Sequence, residues 1–360
     1  MLIEQFNPLE DKMIQVMDEN GEIVNADLMP DLKSEEILEL YKTMLKARTI
    51  DSAALSLQRQ GRLLTYAPNL GQEAAQVGSG YALKKTDWAV SAFRELGMWL
   101  IKGWTIEKIF QYWYGSEWGS HFGEEIRLLP ISVPISSQLS HAVGIAMAAK
   151  FRGESDAVIA YTGDGGTSQG EFHEALNFAA VYKTPNVFFI QNNQFAISIP
   201  SSKQTASKNL AVKALAYGMP GIKVDGNDVF AVLAVTRAAL EYAIKEGPVL
   251  IEAYTFRMGA HTTSDDPSKY RTDEEVEPWK KRDPMLRLEK YLLQNDLLKE
   301  ADIEHLKTSF QEEAMAAYQS IEHTSDTEIE EIFSHHYAEM TPQLEEQLAD
   351  YLAFVERSQR

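Results

Sequence analysis

Hydrophobic positions along the chain follow two rhythms. From Ser34, the apolar residues Ile37, Leu38, Leu40, Tyr41, Met44 and Leu45 recur at helical spacing behind Glu35 and Glu36, which predicts a helix opening at Ser34. From about residue 138 the pattern alternates between helix and strand. It predicts a helix over 138–151, a strand over 157–162, a glycine loop over 163–170, a helix over 171–182 and a strand over 186–191. A helix near 207–217, a short strand over 222–225, a helix over 229–245 and a strand over 248–256 follow. Runs such as Val187-Phe188-Phe189-Ile190 are apolar throughout, as in strands covered on both faces, so the fold class is α/β with a doubly wound parallel sheet. Before this core, residues 1–33 read as an N-terminal arm in which Met13–Met17, the turn-like Asp18–Gly21 and Glu22–Val24 form a small hairpin or extended segment. The α/β domain then spans 34–278, and a charged helical extension over 279–360 reads as a surface layer or an oligomer clamp.

Composition narrows the function. The 360 residues carry 34 Lys plus Arg against 53 Asp plus Glu, a net charge of -19, and no cysteine. Disulfides, thiolate metal sites and cysteine nucleophiles are therefore excluded. An acidic field of this size argues against nucleic acid or an anionic membrane as a partner. The opening segment MLIEQFNPLEDKM has neither a basic nor an apolar targeting region, so the expected location is cytoplasmic.

The candidate chemistry is densest in Tyr161-Thr162-Gly163-Asp164-Gly165-Gly166-Thr167-Ser168-Gln169-Gly170, at the carboxyl end of a predicted strand, where open α/β sheets bind ligands. A dinucleotide fingerprint would require glycine where Ser168 stands, and a phosphate-loop lysine is missing. Asp164 in a phosphate-cradling loop would repel a diphosphate unless a divalent cation lay between them, which points to magnesium. Magnesium takes oxygen ligands in octahedral geometry, commonly a carboxylate, neutral carbonyls and phosphate oxygens. Asn193 and the Phe195 carbonyl, at the end of the next strand, are the candidate partners.

Gly163-Asp164-Gly165, an interval running from Gly166 to Gln191, and then Asn192-Asn193 resemble the thiamine diphosphate motif. The resemblance extends from about Met29 to Leu348 and is to the alpha subunit of the decarboxylating component of 2-oxoacid dehydrogenase complexes. It is carried by Arg59-Gln60-Gly61-Arg62, Gly71-Gln72-Glu73-Ala74, Ala92-Phe93-Arg94, Gly170–Ala179, Gly218-Met219-Pro220-Gly221, Arg257-Met258-Gly259-Ala260-His261 and Tyr337-Ala338-Glu339-Met340. The resemblance implies the thiamine diphosphate-binding fold, with magnesium on Asp164, Asn193 and Phe195 and with Phe93, Arg94, Arg257 and His261 near the cofactor, where the planar, permanent cations of Arg94 and Arg257 and the main-chain amides of Gly165 and Gly166 suit its diphosphate. It also implies that the main chain at Val133 and Ile135 faces the aminopyrimidine, and that His261 is the histidine that donates a proton or stabilises charge there. Ile131–Gln138 is similar to a segment that binds a monovalent cation in branched-chain relatives, which implies potassium on Ser132, Pro134, Ser137 and Gln138. A loop capping the following helix explains the serine equally well. Ser264 and Ser268 lie in a loop phosphorylated in some mitochondrial relatives, and no such regulation is expected here.

The implied activity is oxidative decarboxylation of a 2-oxoacid with reductive acylation of a lipoyl group on the acyltransferase component. In such heterotetramers of two alpha and two beta subunits, the glutamate that activates the cofactor lies on the beta subunit, so this chain alone is expected to be inactive. Gln191, Gly166-Thr167-Ser168-Gln169 and the Gly21–Asn25 arm resemble pyruvate enzymes of Gram-positive bacteria. The Ile131–Gln138 segment and Ser264-Asp265-Asp266 resemble branched-chain relatives, so pyruvate is favoured, with branched-chain 2-oxoacids second and acetoin third. A scaffolding paralogue that binds no cofactor is the reading from another class, against which the intact Asp164, Asn193, Arg94 and His261 speak.

Overall fold

The computed structural model describes residues 2–123, 125–322 and 328–358. Six parallel strands form the central sheet: β1 (Trp88–Val90), β2 (Leu128–Leu129), β3 (Val158–Gly163), β4 (Asn186–Asn192), β5 (Gly221–Asp225) and β6 (Val249–Tyr254), in the order β2-β1-β3-β4-β6-β5. Side chains alternate across the sheet even where every residue is apolar. Ile159, Tyr161, Val187, Phe189 and Ile251 enter one core with the helices Ser34–Arg59, Glu73–Tyr81 and Val229–Lys245. Val158, Ala160, Phe188, Ile190 and Leu250 face the other core, under the helices Ser137–Arg152 and Gly170–Tyr182. The expected doubly wound sheet is thus present.

The direction of winding reverses between β1 and β3. After β1 the chain pairs β2 on one side, and from β3 it proceeds through β4 to the other. Such a reversal opens a crevice beyond the carboxyl ends of the strands. The segment after β1 carries Phe93 and Arg94, the segment after β3 carries Asp164, and Gly163 is in register with Gln191 on β4, so the Asn192-Asn193 pair emerges beside the glycine loop.

One predicted helix differs. The segment near 207–217 is wound as a 3-10 helix, Ala211–Tyr217. Glu252 Oε2 holds the Leu210 and Ala211 amides at 2.7 and 3.0 Å, and Asn209 is tied to the Pro8 carbonyl at 2.8 Å, so tertiary bonds replace the first helical turn.

The arm forms the expected hairpin through an antiparallel bridge between Met17 and Ile23. It docks on β5 through Ile14 and on Asp228, whose Oδ2 accepts the Val16 and Met17 amides, both at 2.7 Å. Pro284–Gln294 and Glu300–Ile321 bury Leu288, Leu292 and Tyr318 in the first core, whereas Pro342–Ser358 buries none of its side chains. Among the described residues no helix is long and apolar enough to cross a membrane.

Candidate active site

A cavity of about 390 Å³ occupies the crevice at the strand ends. Phe93, Arg94, Val133, Ile135, Asp164, Gly165, Gly166, Asn193, Phe195, Arg257 and His261 all line it, so every residue expected near the cofactor is gathered on one surface. That volume lies in the range of small-ligand sites.

Asp164 is buried at the start of the loop. Its Oδ2 accepts from Ser201 Oγ at 2.7 Å, and its carbonyl accepts from Thr167 Oγ1 at 2.8 Å and Gln204 Nε2 at 2.9 Å. Burial pushes its carboxyl up to about 6, against the opposing effect of the Ser201 bond. The following residues must be glycine: a Cβ at Gly165 would lie 2.8 Å from that of Ala196, and one at Gly166 would lie 2.0 Å from Thr162 Oγ1. Asn193, just past β4, donates from Nδ2 to Gln72 Oε1 at 3.0 Å, which turns its Oδ1 away from Gln72. The Phe195 carbonyl accepts from Arg257 Nη1 at 3.0 Å and keeps a second lone pair.

Two guanidinium groups line the same cavity. Arg94 Nη1 is bound to the Pro68 carbonyl and its Nη2 donates to the His261 carbonyl at 2.8 Å. Burial, aided by Arg257, lowers Arg94 to about 10, so it stays charged at neutral pH. Arg257 also donates to the Ile197 carbonyl and to Tyr270 Oη, the latter at 3.0 Å. His261 Nδ1 lies 3.4 Å from Arg94 Nη2 and 3.3 Å from Arg257 Nη1. A guanidinium only donates, so Nδ1 is assigned as the acceptor and Nε2 as the protonated nitrogen. Burial and the two guanidinium groups lower His261 to about 4, leaving it neutral above that pH.

The second candidate set is close to the first. Ser132 and Ser137 place their hydroxyls 3.0 Å apart, Ser137 Oγ donates to the Pro134 carbonyl at 2.9 Å, and Gln138 Nε2 is anchored on the Tyr161 carbonyl at 2.8 Å. Gln138 Oε1 is buried without a partner. Ser136, with φ of 72°, precedes the helix and donates to the Gly166 carbonyl at 2.9 Å rather than capping the helix. His173 sits away from the cavity against Tyr217, and His335 is exposed against the Trp118 ring.

Sequence reasoning missed several cavity residues. Glu95 is buried, accepts from Gln191 Nε2 at 2.8 Å and from the Arg94 amide at 3.0 Å, and is raised to about 7 by burial. Gln72 Nε2 and Gln191 Oε1 are buried with no partner. Ile197 lines the cavity at φ of 55°, a conformation β-branched residues rarely adopt. The arrangement brings the Asp164 carboxylate, neutral oxygens, two fixed guanidinium groups and glycine amides into one cavity, with the Glu95 carboxyl beside them. That combination suits a diphosphate shared with a cation.

Residues 41–330, well over half of the chain, match the family described as dehydrogenase E1 component. The pyruvate dehydrogenase E1 component subunit alpha of Acholeplasma laidlawii is 47% identical over 343 residues, covering 94% of this chain and 99% of that protein. The protein of the same name in Staphylococcus aureus (strain Mu50 / ATCC 700699) is 42% identical over 342 residues, covering 94% and 92%. The 3-methyl-2-oxobutanoate dehydrogenase subunit alpha of Mycobacterium tuberculosis (strain CDC 1551 / Oshkosh) is 44% identical over 329 residues, covering 91% and 90%. Matched by the family over most of its length and aligned with these relatives almost end to end, the chain belongs to the dehydrogenase E1 component family.

Proposed function

We propose that this chain is the alpha subunit of a pyruvate dehydrogenase E1 component, working in a heterotetramer of two alpha and two beta subunits. The observation that carries the reading is that Asp164 and Asn193 line one cavity together with Arg94, Arg257 and His261. Membership of the family implies dependence on thiamine diphosphate and partnership with a beta subunit. Pyruvate is favoured because relatives named for it include the one at 47% identity and 99% coverage. The branched-chain reading draws on a relative at 44%.

The residues present fit the cofactor. Gly165 and Gly166 line the cavity with main chain alone, and Gln72 Nε2 and Gln191 Oε1 are buried polar atoms in want of a partner. A cation would be held by the Asp164 carboxylate, Asn193 Oδ1 and the Phe195 carbonyl, hard oxygens suited to magnesium. Thiamine diphosphate, when bound, supplies the carbanion chemistry of 2-oxoacid decarboxylation. Arg94 and Arg257 bind and orient the diphosphate as fixed donors. His261, neutral and protonated on Nε2, offers a hydrogen bond without adding charge. Gly165 and Gly166 bring main-chain amides against phosphate oxygens, and Phe93, Val133 and Ile135 exclude water from the reacting end. In the proposed activity pyruvate loses carbon dioxide, and its remaining two carbons are oxidised to an acetyl group on one lipoyl sulfur of the acyltransferase component as the lipoyl disulfide is reduced.

A potassium ion would be held by Ser132, Ser137, the Pro134 carbonyl and the unpartnered Gln138 Oε1. It would stiffen the segment that carries Val133 and Ile135, and the complex should then melt higher in potassium than in sodium chloride. Equal melting would remove the site.

The test is decarboxylation of pyruvate and of 3-methyl-2-oxobutanoate with a dye acceptor, by the chain alone and by the chain co-expressed with its beta subunit, with thiamine diphosphate and magnesium. Turnover is expected only in the mixture, with pyruvate preferred. Asp164→Ala should cost at least the roughly 10–100-fold in metal affinity that loss of an outer partner costs. Preference for the branched acid would move the substrate assignment, and silence in both preparations would favour the scaffolding reading.

A further inference from the structure

Gln72 is wholly buried and far in sequence from the residue it touches. Gly71 holds φ of 95°, and a Cβ there would come within 2.6 Å of the Phe256 carbonyl, so the chain turns tightly against the segment that follows β6. Thr255 Oγ1 donates to the Gly71 carbonyl at 3.0 Å, the Gly71 amide donates to Glu73 Oε2 at 3.0 Å, and Arg48 Nε holds Glu73 Oε1 at 2.8 Å. The backbone at Gln72 is thereby fixed on both sides, with its side chain in the cavity wall.

There Gln72 Oε1 accepts from Asn193 Nδ2 at 3.0 Å. The bond decides which end of the Asn193 amide is free. One Nδ2 hydrogen is spent on Gln72, and Oδ1 keeps only the Phe195 amide at 3.4 Å. Gln72 Nε2 has no partner although it is buried, and an unmade bond at such an atom carries the full cost of its lost hydration. An acceptor supplied by a ligand in the cavity would remove that cost.

We propose that Gln72 is the positioning residue of the cation site, presenting Asn193 Oδ1 to the metal through Oε1 and offering Nε2 to the phosphate that shares the metal. The inference rests on the reading of Asp164 and Asn193 as cation ligands. Gln72→Glu tests the geometry closely, because a carboxylate can only accept: it enforces the same Asn193 orientation while removing the donor to phosphate. Gln72→Leu removes both.

The experiment uses the alpha–beta complex, with Mn²⁺ as the paramagnetic probe, free Mn²⁺ read by electron spin resonance at saturating thiamine diphosphate, and cofactor affinity read separately by calorimetry. Gln72→Leu is expected to weaken Mn²⁺ binding about 10–100-fold. Gln72→Glu should keep Mn²⁺ affinity within about threefold while losing thiamine diphosphate affinity. In an Asn193→Ala background, Gln72→Leu should change Mn²⁺ binding by less than about twofold, since its effect runs through Asn193. Equal Mn²⁺ binding by the parent and Asp164→Ala overturns the cation reading and this inference with it. Loss in Asp164→Ala with unchanged binding in Gln72→Leu overturns this inference alone. Should the leucine variant not assemble, Gln72→Glu carries the test, and a tenfold or greater loss of Mn²⁺ affinity there overturns it.

Discussion

Asp164 sits where a carboxylate is costly unless a cation accompanies it. Its folded value of about 6 lies above the ordinary 3.8, with burial as the main cause. The folded chain therefore binds the proton more tightly than the unfolded chain, and ionisation reduces stability at pH above 6. That penalty fades as pH falls from about 6 towards 3.8. In metal-free protein, Asp164→Asn should therefore be more stable than the parent at pH 7.5, by on the order of 2 kcal/mol. The two thermal midpoints should converge near pH 4. A midpoint for the asparagine variant at or below the parent's at pH 7.5 would sink the prediction. At this scale the sequence exposed residues whose chemistry is unusual for their local pattern, such as an acid in a glycine loop. Gln72 and Glu95 stayed hidden because their partners, Asn193 and Gln191, lie 121 and 96 residues away, and nothing local marks a buried amide or carboxyl as part of a site.

The turn after β3 is an element whose shape depends on two missing side chains. A Cβ at Gly166 would lie 2.0 Å from Thr162 Oγ1 and 2.7 Å from Ser136 Oγ. Relief would require Thr162 on β3 to change rotamer and Ser136, which precedes the helix Ser137–Arg152, to give up its bond to the Gly166 carbonyl. Gly166→Ala should therefore destabilise the chain by about 1–3 kcal/mol, the usual cost of overpacking a tight interior. It should also weaken thiamine diphosphate binding, because the loop and the segment bearing Val133 and Ile135 shift together. Thermal melting and calorimetry check the pair, and an unchanged cofactor affinity would show that the loop tolerates the displacement. Strands and helices at this scale were legible from period and length, since apolar runs bounded by glycine left few alternatives. The segment 207–217 was not, because its winding is set by Glu252 and by Pro8 of the arm rather than by its own residues. Ile197 escaped notice for a related reason: a β-branched residue at positive φ runs against local preference and is held by Arg257 on its carbonyl.

Across the whole molecule, charge and exposed apolar surface are distributed unevenly. The net charge is -19, yet two guanidinium groups line the cavity and large apolar side chains are exposed beside them. Val133, Ile135 and Ile197 line the cavity and are 58%, 40% and 59% exposed, and Ile199, in the pair Ile199–Pro200 that bonds antiparallel to Phe195–Ala196, is 49% exposed. Large apolar side chains clustered and exposed beside a cavity are what a subunit interface leaves behind when a chain stands alone. The family supplies such a partner in the beta subunit. Ile199 does not line the cavity, so its side chain can report on association without touching the cofactor residues. Ile199→Asp should leave the thermal midpoint of the isolated chain within about 2 °C of the parent's, since exposed substitutions change stability little. Co-purification with the beta subunit should fall sharply, because a buried unpaired charge at an interface is expensive. Decarboxylation should be lost at low protein concentration and recover as both subunits are raised, which a damaged active site would not do. Undiminished co-purification, or activity lost at every concentration, would place the beta subunit on some other face of the chain.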